Sequence, residues 1–143
     1  MRKTVNDILL VEDNLGDIRL MQEVLSENGI NDNLHIVRDG IEAMAFLRRE
    51  GGFYEVPRPS VILLDLNLPG KNGREVLAEI KTDEDLKRIP TIVFSTSQHE
   101  EDIHRCYDLH ANCYITKPMD LRKFISVIES IKHFWLTVAE LPH

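Results

Sequence analysis

Five short apolar, largely β-branched runs recur along this chain, at residues 8–11, 34–37, 61–64, 91–94 and 113–116, and a stretch with helical spacing follows each. After the first run, Ile18, Met21, Val24 and Leu25 fall on one face of a helix over 17–28, with Gly29 at the position that ends helices. Ile41, Met44, Ala45 and Leu47 mark a second helix, ended by the Gly51-Gly52 pair. Val76, Leu77 and Ile80 mark a third, Ile103, Cys106 and Tyr107 a fourth, and residues 121 to about 136 a fifth. Strict strand-helix alternation implies parallel strands, and a parallel sheet must be covered by helices on both faces. The expected class is α/β, a doubly wound five-stranded parallel sheet.

The first and third strands are almost wholly apolar, as central strands must be, whereas His35 and Arg38 make the second more peripheral. That fits the order 2-1-3-4-5, in which the chain reverses direction between strands 1 and 3. In such sheets the ligand crevice lies beyond the carboxyl ends of those two strands. A length of 143 residues suits one domain, with an extended C-terminal helix and tail from about 120 to 143 and no attached output domain. The loop 51–60, with Pro57 and Pro59, joins two strands of the same sheet and reads as an ordinary connection.

A net charge of -7 disfavours nucleic acid as a partner, since phosphate binding needs clustered Lys and Arg; Lys87 and Arg88 form only a local pair. The longest apolar runs fall far below the roughly 20 residues that span a bilayer, and residues 1–7 are short and polar. The expected location is the cytoplasm, with no membrane contact. Cys106 and Cys113 have no CxxC spacing, and the six histidines show no helical metal-clamp spacing.

The informative residues are acidic. Glu12 and Asp13 follow directly on the first strand and Asp65 follows directly on the third, so this topology brings three carboxylates to one crevice. Uncompensated, they repel and raise at least one pKa; a hard cation that accepts oxygen ligands, of which Mg²⁺ is the natural choice, relieves this. Either acid alone would read as a helix cap or a strand end. Ser95 and Lys117 end the fourth and fifth strands, placing a hydroxyl and an ammonium at the same sheet edge. Such donors aimed at a carboxylate suit charge stabilisation in phosphoryl transfer. Pro118 keeps Lys117 out of helical conformation and is placed to start the fifth helix. Asn67, in a tight loop with Pro69, Gly70 and Gly73, has a backbone carbonyl within reach of such a cation.

Together these residues resemble the receiver domains of two-component response regulators, over about 8–134. The resemblance rests on Glu12-Asp13, on the stretch from Val61 through Asp65 to Gly70 with Gly73, on Ser95, and on Tyr114 with Lys117-Pro118. It implies that Asp65 accepts a phosphoryl group from a histidine kinase, and that Asp13, Asp65, the Asn67 carbonyl and, through water, Glu12 hold Mg²⁺. Glu12 stands where Asp is commoner. Ser95 is implied as the switch hydroxyl beside Thr96, Lys117 as the contact to phosphoryl oxygens, and Tyr114 as the aromatic that turns with phosphorylation. The implied output is a change in the face of the fourth helix, fifth strand and fifth helix, and the protein assists its own phosphorylation and dephosphorylation without being a turnover enzyme.

The last helix carries apolar residues beyond one stripe: Phe124, Val127, Ile131, Phe134, Val138 and Leu141, and also Leu121, Ile125, Ile128 and Trp135. The surplus suggests a symmetric homodimer or a kinase-docking surface. The segment Phe134-Trp135-Leu136-Thr137-Val138, with the stretch 68–81, is similar to the stand-alone regulators paired with bacterial phytochromes, which implies a bacteriophytochrome kinase as donor. Two rivals stand near this reading, one that also forms an acyl phosphate at a strand end and one on the same topology. An aspartyl-nucleophile phosphatase needs an acid two residues after the nucleophile, where this chain has Asn67, and a flavodoxin-like carrier needs a phosphate loop where Glu12-Asp13 would repel one.

Overall fold

The structure is a computed structural model and describes residues 6–26 and 33–142. Five strands, β1 (Asp7–Val11), β2 (Asn33–Val37), β3 (Val61–Leu64), β4 (Thr91–Ser95) and β5 (Cys113–Thr116), form one sheet in the order β2-β1-β3-β4-β5. Every neighbouring pair is parallel. The helices are α1 (Leu15–Leu25), α2 (Gly40–Arg48), α3 (Gly73–Thr82), α4 (Glu100–Asp108) and α5 (Leu121–His133).

Strand alternation divides the core into two layers. Leu9, Val11, Ile62, Leu64 and Val93 face α2, α3 and α4, meeting Met44, Phe46, Val76, Leu77, Ile80 and Cys106. Ile8, Leu10, Leu63, Ile92 and Phe94 face α1 and α5, meeting Ile18, Met21, Phe124, Ile128 and Ile131. Each fully buried aliphatic contributes about 1.5–3 kcal/mol. Helix starts are set by side-chain caps: Asn14 for α1, Asp39 for α2, an Asn72/Glu75 capping box for α3, and Asp120 for α5.

Several boundaries differ from the sequence expectation. The first helix closes at Leu25 with Ser26 as its cap, while Gly29 lies outside the described residues. The second ends at Arg48, because Arg49 itself takes the left-handed conformation (φ 56°); Gly51-Gly52 instead opens a 3-10 turn over Gly51–Phe53. Ile41 points outward at 63% exposure, and in α4 only Cys106 is buried. Pro118 sits in the loop before α5, whose start belongs to Asp120.

The last helix passes into a π-helical turn over Phe134–Val138. Its buried apolar residues are Phe124, Ile128 and Ile131, with Trp135 packed against them, so one seam draws on both apolar stripes. Leu121, Phe134 and Val138 are left exposed.

Candidate functional site

Register in the sheet assembles the site. Val11 pairs with Leu64, so β1 and β3 end level and release Glu12, Asp13 and Asp65 side by side. The Asp65 N–H donates to the Val11 carbonyl at 3.0 Å, and the Glu12 N–H to the Val37 carbonyl at 3.1 Å. On the other side Ser95 pairs with Thr116, and the Lys117 N–H donates to the Ser95 carbonyl at 2.7 Å. Four polar side chains therefore meet under cover at one edge of the sheet: Glu12 is 1% exposed, Asp65 6%, Ser95 fully buried and Lys117 5%.

Carboxylate oxygens of Glu12, Asp13 and Asp65 lie within 4.8 Å of one another. Asn14, not Asp13, caps α1, accepting from the Asp17 N–H at 2.9 Å, which leaves Asp13 facing the cluster. Lys117 Nζ donates to Glu12 at 2.6 Å, Asp17 at 2.9 Å and Asp65 at 3.2 Å, and sits 5.7 Å from the Phe94 ring centre. Asn67 contributes through its backbone: its N–H donates to Asp65 Oδ1 at 3.3 Å while its side chain is exposed. Ser95 points inward and Thr96 outward, and that choice was open in the sequence.

Electrostatics favour a further positive charge. Burial, then repulsion from Asp65, outweigh Lys117 and push the Glu12 carboxyl up to about 7. Burial, the largest single influence, pulls the Lys117 ammonium down, but attraction to Glu12 and Asp65 and hydrogen bonds to Glu12 and Asp17 together outweigh it, and its pKa ends above the ordinary value. Glu12 is thus pulled toward its neutral form by burial and Asp65 and toward its ionised form by Lys117. Charge balance decides between the two. One ammonium cannot offset both buried carboxylates, so Lys117 stays charged and the deficit falls on Glu12. An all-oxygen donor set with excess negative charge fits a hard divalent ion such as Mg²⁺.

A pH prediction follows. A carboxyl raised in the folded state binds its proton there while the unfolded chain has released it, so folding stability falls as pH rises from about 4.5 to about 7. The contribution is at most about 3 kcal/mol. Urea unfolding in chelator is expected to show lower stability at about pH 8 than at about pH 5.5, and millimolar Mg²⁺ is expected to reverse the loss.

A second network borders the site. The Tyr114 hydroxyl donates to the Ser97 carbonyl at 2.8 Å, and the Tyr114 N–H to the Tyr107 hydroxyl at 3.1 Å. Ser97 Oγ donates to Asp102 at 2.5 Å, Asp102 also pairs with Arg74 of α3, and the Ser97 N–H reaches Ser95 Oγ at 3.4 Å. Tyr114 is thus tied to the loop that follows Ser95. Sequence reasoning missed Ser97, Asp102, Arg74 and Asp17. For Asp17 a signal existed, since it lies one helical turn after Asp13 at the start of α1.

Two clefts open at opposite ends of the sheet. One of about 300 Å³, lined by Asn14, Asp17, Thr96, Lys117 and Met119 among others, opens beside the acidic cluster. A larger one of about 460 Å³, lined by Arg48, Arg49, Arg58 and Asp83, lies near the amino ends of β3 and β4, away from these acids. Volume alone would have selected neither: an apolar groove of about 560 Å³ between β5 and α5, lined by Cys113, Ile115, Val127 and Trp135 among others, is larger than both.

A family model described as the response regulator receiver domain matches residues 8–129. The chain is 53% identical over 135 residues to the response regulator Rcp1 of a Synechocystis species, covering 94% of this chain and 92% of that protein. It is 40% identical to the probable methanogenesis regulatory protein FilR2 of Methanothrix harundinacea, covering 90% and 83%. Among solved structures, the phosphorylated cyanobacterial phytochrome response regulator RcpA superposes with a TM-score of 0.95 at 54% identity, covering 98% of this chain and all of that one. The Mn²⁺-bound form of Rcp1 superposes with a TM-score of 0.94 at 52% identity, covering 96% and 99%.

Proposed function

This chain belongs to the response regulator receiver domain family, and from that premise we propose that it signals by taking a phosphoryl group onto Asp65 from a histidine kinase. The observation that supports this most is the convergence of Glu12, Asp13 and Asp65 with Lys117 under the carboxyl edge of the sheet. Asp13, Asp65 and the Asn67 carbonyl, with Glu12 through water, are the residues that would hold Mg²⁺. Bound there, Mg²⁺ offsets the charge on the carboxylates and on the phosphoryl oxygens. The Mn²⁺ of the Rcp1 relative and the phosphorylated state of the RcpA relative accord with both parts of the proposal.

The chain's own residues carry the rest. An Asp65 oxygen attacks the phosphorus of a phosphohistidine, forming the acyl phosphate bond as the phosphorus–nitrogen bond breaks and the imidazole leaves. Lys117, fixed by burial and carboxylates, offers an N–H to the phosphoryl oxygens. Ser95 then donates its hydroxyl to the new group. Its movement draws the loop through Ser97, to which Tyr114 is bonded, and so repacks the face of α4, β5 and α5 that a partner reads. The protein promotes its own phosphorylation and dephosphorylation rather than turning over a substrate.

The reading covers one receiver domain over 1–143, with 120–143 as extended helix and tail. The phytochrome relatives support a bacteriophytochrome kinase as the donor. Among the described residues, no helix is long and apolar enough to cross a membrane, which accords with the proposed cytoplasmic location, and the acidic net charge accords with a protein rather than a nucleic-acid partner. The experiment is incubation with Mg²⁺ and acetyl phosphate followed by intact mass: one added phosphoryl group is expected, and none in chelator. Uptake of equal extent without the metal would contradict the reading.

The tail supports a homodimer. Phe134, half exposed, lines an open apolar groove with Cys113, Ile115, Val127, Ile131 and Trp135, and Val138 one turn on is also half exposed. Sedimentation of the full chain is expected to give a dimer, and Phe134→Asp with Val138→Asp a monomer. If both sediment as monomers, the dimer idea fails.

A further inference from the structure

Lys117 is held by three carboxylates, and one of them neither joins the acidic cluster nor accepts the phosphoryl group. An ammonium has three N–H donors and no acceptor. Lys117 Nζ directs one donor to each of Glu12, Asp17 and Asp65. Glu12 and Asp65 belong to the cluster suited to a divalent ion, and Asp65 is also the proposed acceptor. Asp17 belongs to neither. It lies outside that cluster, in the first turn of α1, and lines the cleft that opens beside the acids. Of the three partners, it is the one whose oxygens stay unclaimed once cation and phosphoryl group arrive.

Its placement is not that of an ordinary acid at a helix start. Asn14 is the N-cap, so Asp17 is the third helical residue, where a capping-box acid would reach back to the N–H of the cap. Here the Asn14 N–H donates to Glu12 Oε2 at 3.2 Å instead. That leaves Asp17 to reach across to Lys117, 100 residues away in sequence. Glu12 thus takes the capping duty, and Asp17 takes the ammonium.

We propose that Asp17 is a positioning residue for phosphoryl transfer: it tethers the Lys117 ammonium so that the N–H now on Asp65 is the one that turns to the phosphoryl oxygens. The inference rests on Asp65 as acceptor. Without the tether, Lys117 loses one fixed point and its donor drifts from the line between Asp65 and the incoming phosphorus. Misplacements of an ångström or less carry rate losses of this kind.

The test compares the full-length wild type with Asp17→Ala and Asp17→Asn, using Mg²⁺ and acetyl phosphate. With Asp17→Ala, the rate constant at saturating donor is expected to fall about tenfold, with little change in the donor KM. Asp17→Asn keeps an oxygen that accepts from Nζ, and is expected to restore most of the rate. In chelator, the Lys117 ammonium should give a slowly exchanging nitrogen–proton NMR signal in the wild type and in Asp17→Asn, and lose it in Asp17→Ala. A rate for Asp17→Ala equal to or above the wild type's would overturn the tether, since relief of repulsion on an anionic donor would then be the larger effect. So would an Asp17→Asn variant as slow as Asp17→Ala. A wild type labelled on Asp65 with Asp17→Ala undiminished removes only this inference; a wild type that takes no phosphoryl group removes the reading beneath it as well.

Discussion

Asp65→Asn is expected to take up no phosphoryl group from either a kinase or acetyl phosphate, the largest effect any single change should have on this chain. An amide oxygen is a far weaker nucleophile than a carboxylate, and the two neighbouring acids cannot substitute. Glu12 is engaged by Lys117 and by the Asn14 N–H, and Asp13 lies nearer solvent. The loss should not reflect unfolding. Repulsion from Asp65 is the second cause of the raised Glu12 pKa, so removing that charge is expected to leave the thermal midpoint in chelator at or above the wild type's. Mg²⁺ affinity should fall together with phosphorylation, because one charged ligand is gone. Intact mass, a melt by circular dichroism and a metal titration check the three parts separately.

Gly73→Ala is expected to have a large effect on stability. Gly73 opens α3, and its N–H donates to the Leu66 carbonyl at 2.9 Å, closing the loop that follows the acceptor. A Cβ there would stand 2.2 Å from the Asp65 carbonyl oxygen and 2.5 Å from Leu66 Cα, both backbone atoms that cannot rotate away. Relief requires moving α3 or the acceptor itself. The expected cost is about 3 kcal/mol, the upper end of the overpacking range, or a fall of roughly 10 °C in midpoint. Phosphorylation should slow in the same variant, because the displaced atoms carry Asp65. Gly52, with open space where its Cβ would lie, is the control: Gly52→Ala should stay within about 0.5 kcal/mol of the wild type. Equal melts for the two variants would remove this explanation of the Gly73 position.

Most of the site could be read from the sequence because a parallel sheet converts chain order into place. Once strands 1 and 3 are neighbours, the residues that follow them must share a crevice, and the same holds for Ser95 and Lys117 one and two strands further on. Side-chain direction is what the pattern left open. Asp13 and Asn14 are both good caps, and only the structure shows Asn14 taking the role. Asp17 was legible as a helix-start acid but not as a partner of Lys117, since that contact depends on which rotamer crosses from α1 to the end of β5.

The α5 seam shows a different limit. Phe124, Ile128, Ile131 and Trp135 follow alternating steps of four and three, but so do other sets drawn from the same residues, and apolar periodicity alone does not choose among them. The π-helical turn then shifts the facing of the tail by a further fraction of a turn. Arg49 defeated the helix-end rule similarly. Glycine is favoured at left-handed positions, yet Arg took this one, two residues before the first of the pair expected to do so.

The most direct measurement is chemical trapping of the phosphorylated chain. Borohydride reduces an acyl phosphate to an alcohol, so peptide mass analysis after reduction reports which carboxylate carried the phosphoryl group. Reduction at Asp65 alone, dependent on Mg²⁺, is the predicted result; reduction at Glu12 or Asp13, or a stable phosphoryl group on a serine, threonine or histidine, would contradict it.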